Sequence, residues 1–513
     1  MLARISSFGL RGAEGYPVQV ELDLANGLPA FTTVGLPDNA VREARDRVSS
    51  ALRNSGFQFP LRRITVNLAP AEARKQGTHF DLPIALAVLS ASGQLPAGDW
   101  SRRYCFAGEL ALDGTLRPVR GVLAMAARAR SQGFDGMVVP RENAAEASAA
   151  GLPAYGAGAL GEVARFLGGE EDVLVPSGER STSGACGDGG PLPADLCDVR
   201  GQILARRALE IAAAGGHHLL LVGPPGAGKS MLARRLPGLL PEMTPGEALE
   251  VTRVHSACQV RRGEGLMSRR PFRAPHHSAT QAALVGGGPA ARPGEVSLAH
   301  GGVLFLDELA EFGRAALEAL RQPLEDARVT VARVRETVEY PACFTLVAAT
   351  NPCPCGWRGH PQRACLCTPA AVSRYLSRLS GPLLDRIDVQ VEVEALPFAD
   401  WAGSGRASRG ESSADVRARV ERARARQRER FAGADFAVNA RIPSGELRRH
   451  CALDSRGLFL LEGAARKLGL SARSLDRVLR VARTAADLEG APAVADRHLG
   501  EAMQYRSLDR LQP

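Results

Sequence analysis

Residues 223–230 read Gly223-Pro224-Pro225-Gly226-Ala227-Gly228-Lys229-Ser230, a G-x-x-x-x-G-K-[ST] run without a mismatch. The chemistry dictates the residue types. Glycines let successive backbone N–H groups converge on one anion, a lysine reaches the β- and γ-phosphates, and the serine hydroxyl ligates Mg²⁺. The apolar run His218-Leu219-Leu220-Leu221-Val222 before the loop predicts a buried strand, and Met231 to Leu236 after it predicts a helix. Strand, loop and helix together mark a nucleoside triphosphate site.

Downstream, Val303-Leu304-Phe305-Leu306-Asp307-Glu308 is an apolar strand ending in two carboxylates. Such a strand tolerates acids only at its C-terminal tip, which in a parallel sheet is where ligands sit. There Asp307 can hold Mg²⁺ through water, and Glu308 can take a proton from the attacking water. An acidic pair can also simply open a helix, but behind a phosphate loop the hydrolytic reading takes precedence. A third strand, Phe344 to Thr350, ends at Asn351, whose amide can orient that water, although Asn before Pro also starts turns. Leu383 to Asp388 sets Arg386 among apolar residues. It reads either as a donor to transition-state charge on a neighbouring subunit's ATP or as an ion pair with Asp385 or Asp388 of its own subunit. Strands at 218–222, 303–307 and 345–349 separated by helices predict a parallel α/β sheet.

With 513 residues the chain is too long for one core, so about two to four domains are expected. Its 64 basic against 55 acidic side chains permit a polyanionic partner without requiring one. A high-GC genome would also enrich arginine. The 5% aromatic content argues against a single-strand binder built on base stacking. No stretch is apolar enough to span a bilayer, and the N-terminus lacks the apolar centre of a secretory signal. Ten cysteines beside a phosphate loop fit a reducing compartment, so the cytoplasm is the expected location, with no membrane partner.

Two polar, Gly/Ser/Pro-rich breaks, 168–196 and 398–413, divide the chain into segments 1–167, 197–397 and 414–513. The first alternates short strands, such as Val18–Leu24, with amphipathic helices, such as Asp38–Leu52. The last predicts helices over Asp415–Phe431, Ser444–His450, Ser455–Leu468, Ser471–Leu488 and Ala495–Tyr505.

Four motifs carry a family resemblance: Arg270-Pro271-Phe272-Arg273-Ala274-Pro275-His276-His277-Ser278, Gly286-Gly287-Gly288, the run Pro293 to Gly302, and Asn351-Pro352-Cys353-Pro354-Cys355-Gly356. They resemble the magnesium-chelatase-like AAA+ ATPases, closest to the YifB/ComM branch, over nearly the whole chain. The resemblance implies an additional-strand AAA+ P-loop α/β domain followed by a helical C-terminal lid domain of chelatase type. It also implies ATP and Mg²⁺ between the subunits of a ring, expected to be a hexamer, with DNA in the central pore. The function it implies is branch migration of recombination intermediates in natural transformation.

Carried over residue by residue, Lys229 and Ser230 match Walker A, Asp307 and Glu308 match Walker B, and Asn351 matches sensor 1. Arg386 stands where related clades carry an arginine finger. Ser471-Ala472-Arg473 resembles sensor 2, which assigns Arg473 to the γ-phosphate. Arg477 and Arg480 share its helix face, so the assignment among the three stays open. A solvated basic face opposite Leu475, Val478, Leu479 and Ala482 is the plainer alternative. Residues 1–167 resemble the α+β proteolytic domain of Lon. Gly108 to Val119 is similar to the stretch before Lon's catalytic lysine, but Leu123 stands about where that lysine belongs, and Lys75 to Pro83 lacks a serine. Without nucleophile and amine base in reach the domain is expected to be non-proteolytic.

Arg328 to Tyr340 alternates like a hairpin and sits where relatives insert one into the pore, which makes Arg333 and Arg335 candidate phosphate contacts. Arg261, Arg262, Arg269, Arg270 and Arg273 form a second candidate, and the basic helix Asp415–Arg430 reads chiefly as a solvated face. Cys353, Cys355, Cys365 and Cys367 form C-x-C-x₉-C-x-C. Four thiolates can close a tetrahedral Zn²⁺ site, with His360 as a substitute ligand, yet the gaps are tighter than the usual C-x₂₋₄-C knuckle. Redox-sensitive or merely clustered thiols are the alternative. Adjacent His276 and His277 point apart, so packing or phosphate sensing is expected of them rather than metal binding. Two functions remain in play: a DNA-translocating motor, or a metal-chelatase-type motor that remodels a protein partner. The Lon-like domain and the cysteines favour the first, because chelatase motor subunits resemble only the AAA+ and helical parts.

Overall fold

A computed structural model of the chain describes residues 1–96, 98–177, 194–258, 265–288, 291–333, 336–360, 362–395 and 410–506. Its contacts divide into two compact units. One comprises Met1–Asp188 with Thr244–Ser268 and Val334–Tyr340; the other comprises Gly189–Met243, Arg269–Arg333 and Pro341–Pro513.

In the first unit Val18, Val20, Leu22 and Leu24 are buried at alternate positions of the strand Glu14–Ala25, the period of a half-buried strand. That strand pairs antiparallel with Leu2–Arg11 and with Arg63–Ala69, and Ala30–Val34 closes the four-stranded sheet in parallel with the latter. The helix Asp81–Ala91 is apolar all round and buried along nearly its whole length, so it forms the centre of this core. A second sheet runs Pro176–Ser177, Ala154–Ala157, Gly136–Pro140, Tyr104–Phe106. Residues 176–177, expected to lie in a linker, are therefore an edge strand of this sheet. Residues 178–193 and 396–409, the greater part of both expected linkers, lie outside the described residues.

The helix Pro245–Cys258 belongs to this unit although its sequence falls inside the expected ATPase segment 197–397. Hydrogen bonds explain the grouping. Arg253 donates to the Ala13 carbonyl at 3.3 Å, the Ser256 hydroxyl bonds buried Glu146, and Gly121 N–H donates to the Ser256 carbonyl at 3.0 Å. Glu146 also accepts the backbone N–H of Leu123 at 3.3 Å. Leu123 is fully buried, and its side chain places no amine there.

The second unit holds a five-stranded parallel sheet in the order Phe272–Arg273, Val303–Leu306, Thr345–Thr350, Leu219–Val222, Val389–Glu392. Thr345–Thr350 lies between the phosphate-loop strand and the acidic strand, which is the additional-strand arrangement. Buried on both faces, the three middle strands read as continuous apolar runs. The helices Ser413–Arg430, Ser455–Leu468, Ala472–Glu489 and Asp496–Gln504 lie close to their expected bounds. Ser444–His450 resolves into a 3₁₀ turn and a short helix. Ser412, Asp454 and Ser471 cap three of these helices by accepting backbone N–H groups.

The arginine-rich helix is solvated along one face, where Arg422, Arg426 and Arg428 are exposed, but Arg419, Arg424 and Arg430 are engaged. Arg424 donates to the Ala213 carbonyl at 2.8 Å and Gln427 to the Ala214 carbonyl at 3.0 Å, together capping the C-terminal end of helix Ile203–Gly215. Arg419 pairs with Glu210 at 2.5 Å, and Arg430 donates to Asp487 at 2.8 Å. A buried polar chain then ties sheet to lid. His217 bonds Asp388 at 3.1 Å and Thr484 at 2.8 Å, and Asn439 donates to Thr484 at 3.0 Å and Asp487 at 2.8 Å. Burial alone would raise the Asp388 carboxyl; Arg477 and His217 hold it well below the usual carboxylate range.

Candidate active site

The phosphate loop leaves its strand at Gly223, where a Cβ would lie 2.2 Å from the Val393 carbonyl oxygen. Only glycine fits that approach. Gly226 and Gly228 take positive φ (78° and 91°), and a Cβ at Gly226 would meet nothing within 4 Å, so the loop presents an open side. Lys229, only 8% exposed, opens the following helix. Its three N–H donors find the Gly223 carbonyl at 2.6 Å, the Pro224 carbonyl at 2.9 Å and Asn351 Oδ1 at 3.0 Å. Burial pushes its pKa down, and Asp307 and Glu308 oppose that shift.

Ser230 Oγ donates to Asp307 Oδ2 at 2.6 Å, so the two groups expected to share Mg²⁺ converge from separate elements. Asp307 also accepts the Glu308 N–H at 3.0 Å. Glu308 sits at φ 52°, a left-handed conformation that non-glycine residues rarely adopt and that clusters at functional sites. Its side chain is 54% exposed and its carboxylate meets His277 Nδ1 at 3.0 Å. Hard oxygen donors for a divalent ion, an ammonium beside an open backbone cradle, and an exposed carboxylate within the same site fit a magnesium triphosphate.

Lys229, Ser230, Asp307, Glu308 and Asn351 are thus brought together. His277 joins them, a residue that the sequence reading reserved for packing or phosphate sensing. The clue lay in its position, just past the edge strand Phe272–Arg273, which pairs beside the acidic strand.

Arg386 is elsewhere engaged. It is 7% exposed, donates to the Pro382 carbonyl at 2.5 Å and pairs with Glu325, neither of the two aspartates weighed from sequence. Of the three lid arginines, Arg477 pairs with Asp388, Arg480 donates to the Ile442 carbonyl at 2.9 Å, and Arg473 is exposed.

Among the arginines weighed for DNA, Arg270 clamps the Pro241 and Gly301 carbonyls at 2.6 and 2.7 Å. Arg273 forms a two-point pair with Glu295 at 2.6 and 2.8 Å. Both are structural ties. Arg261, Arg262 and Arg335 lie outside the described residues. Arg328–Arg333 and Glu336–Pro341 form the expected two-stranded ribbon. His360 Nδ1 accepts the Gln362 and Arg363 N–H groups, both at 3.1 Å, which commits it to a turn and removes it as a substitute ligand.

A five-stranded parallel sheet with a phosphate loop, an acidic strand tip and a helical C-terminal part defines a nucleotide-binding module of the AAA+ class. Three family profiles match the chain: "Magnesium chelatase, subunit ChlI" over residues 195–401, "Magnesium chelatase, subunit ChlI C-terminal" over 410–506, and "Subunit ChlI of Mg-chelatase" over 20–143. Competence protein ComM of Haemophilus influenzae is 47% identical over 512 residues, covering 99% of this chain and 98% of that one. Protein YifB of Escherichia coli is 46% identical over 502 residues, covering 98% and 96%. The chain belongs to the YifB/ComM family of magnesium-chelatase-like AAA+ proteins. Among the described residues, no helix is long and apolar enough to cross a membrane.

Proposed function

We propose that this chain is an ATP-hydrolysing, cytoplasmic DNA motor that assembles as a ring, expected to be hexameric, and drives branch migration during natural transformation. The observation that carries this reading is its likeness, along 99% of its length, to a protein named for competence. When bound, MgATP supplies the γ-phosphoryl group and its leaving diphosphate. With MgATP bound, Lys229 would exchange its carbonyl partners for phosphate oxygens, Ser230 and Asp307 would hold the ion, Glu308 would take the water proton, and Asn351 would orient that water. Exposed Arg473 is assigned to the γ-phosphate. Arg386 would have to leave Glu325 before serving an adjoining subunit. The N-terminal unit is read as a Lon-like, non-proteolytic domain that assists ring assembly or DNA entry.

A second reading, a chelatase-type motor remodelling a protein, draws support from the chelatase-subunit profile over residues 20–143. By that description the N-terminal unit does not separate the two. Strand displacement on a labelled four-way junction does. The motor reading expects ATP-dependent displacement that Lys229→Ala abolishes. ATP turnover indifferent to every DNA, with no displacement, would transfer support to the second reading.

A further inference from the structure

The chain between the sensor strand and the helix Pro369–Leu376 has no regular element among its described residues. A connection of this length needs something other than backbone pairing to fix it. Its four cysteines supply a convergence. Cys353 Sγ lies 3.4 Å from Cys355 Sγ and 3.6 Å from Cys365 Sγ, and Cys355 Sγ lies 3.6 Å from Cys365 Sγ. All four sulfurs, Cys367 included, fall within 4.8 Å of one another. A tetrahedral ion with Zn–S bonds of about 2.3 Å separates its sulfurs by about 3.8 Å. Disulfides need about 2.05 Å, and these thiols are free. Three of the four are only part-buried, so hydrophobic packing alone gives no reason for the sulfurs to meet at one point.

The tight spacing that argued against metal is resolved by the fold. Cys353 to Gly356 closes a tight turn, the Gly356 N–H donating to the Cys353 carbonyl at 3.0 Å, and that turn brings the Cys353 and Cys355 sulfurs to within 3.4 Å. The two pairs then face each other across the loop. Four thiolates select a soft or borderline ion; a four-iron cluster, with its own core between the ligands, needs them farther apart than 4.8 Å.

We propose that Cys353, Cys355, Cys365 and Cys367 bind one structural zinc ion, and that this ion braces the sensor loop against the phosphate loop. Gly356, inside the cysteine loop, approaches so closely that its Cβ would stand 2.5 Å from Pro225 Cδ. At the start of the same loop Asn351 touches Lys229 at 3.0 Å. Loosening the cysteines therefore frees two contacts on the nucleotide cradle at once, while the sheet that carries the cradle keeps its own core. The ion takes no part in the reaction; its ligands act as positioning residues.

The test uses the full chain and does not depend on DNA. Elemental analysis of protein purified without chelator is expected to give one zinc per chain, falling below about a tenth in a Cys365→Ser/Cys367→Ser variant. Expression in cobalt medium is expected to give the intense visible bands of a tetrahedral cobalt–thiolate centre, a readout that needs no variant to fold. The double variant, with far-ultraviolet circular dichroism unchanged, is expected to lose about tenfold in ATP turnover. Folded wild type without stoichiometric zinc, or with iron in its place, overturns the site. Zinc loss with undiminished ATP turnover overturns the brace. Neither result bears on whether the protein moves DNA.

Discussion

Two buried lysines, one in each unit, contrast the amine proposed to meet phosphate with one that pins its own loop. Lys75 is fully buried and Lys229 nearly so, and burial pushes both pKa values down. Desolvation alone therefore does not distinguish them. Their partners do. Lys75 spends its ammonium on the carbonyl of Pro70, within its own loop. Lys229 holds two carbonyls of a loop whose other side is open, plus an amide from the strand next door, and feels Asp307 and Glu308. A charged group matched to a ligand borrows partners that it can release; a pin uses partners that never leave.

That contrast makes the largest prediction. Lys229→Ala is expected to lower kcat/KM for ATP by about 10⁴-fold, combining lost binding with a lost transition-state donor. Lys75→Met is expected to leave ATP turnover within about twofold, since no reacting group lies at that site. Phosphate release by both variants checks the pair, and a comparable loss from Lys75→Met would erase the distinction.

Next in size is the acidic tip. Glu308→Gln keeps the left-handed turn and removes the base, so about a 10³-fold fall in kcat with nucleotide binding retained is expected. His277→Asn removes only the group that steadies that carboxylate at 3.0 Å, and about a tenfold fall is expected. Single-turnover rates beside a fluorescent-nucleotide binding curve separate the two steps. Equal losses would mean that His277 acts on the phosphate directly rather than through Glu308.

Local chemistry was legible in the sequence wherever a single stretch contained the whole reason for its structure. The phosphate loop, the acidic strand and the lid helices each carry their own glycines, periodicity or caps. Pairings across the chain were not legible. Glu325 lies 61 residues from Arg386, and Ala213 lies 211 from Arg424. A run of arginines reads as a solvated face until the carbonyls of another helix end are placed beneath it. The helix Pro245–Cys258 is the sharpest case: nothing in its sequence names Ala13 and Glu146 as its partners. The cysteine spacing hid the convergence of the four sulfurs for a related reason, because Cys353 and Cys355 meet Cys365 and Cys367 only through the folding of the loop between them.

The smallest effect at neutral pH belongs to His79, beside Lys75 in the same loop. It is 5% exposed, and its Nε2 has no hydrogen-bond partner among the described residues. Burial pushes its pKa from about 6.5 down to about 4, the carbonyl of Phe8 opposing weakly. Below pH 6.5 the unfolded chain takes up a proton that the folded unit refuses. Unfolding free energy therefore rises with pH across this window, is fully present above about 6.5, and is lost as pH falls toward 4. The total is on the order of 3 kcal/mol. The protection factors of the amides in Asp81–Ala91, the helix that follows His79, are expected to fall from pH 6.5 to 4 once the slowing of intrinsic exchange is divided out, and His79→Leu is expected to flatten that fall. A wild-type profile already flat would show that water reaches the imidazole, and that the first unit opens more readily around its lysine than its burial implies.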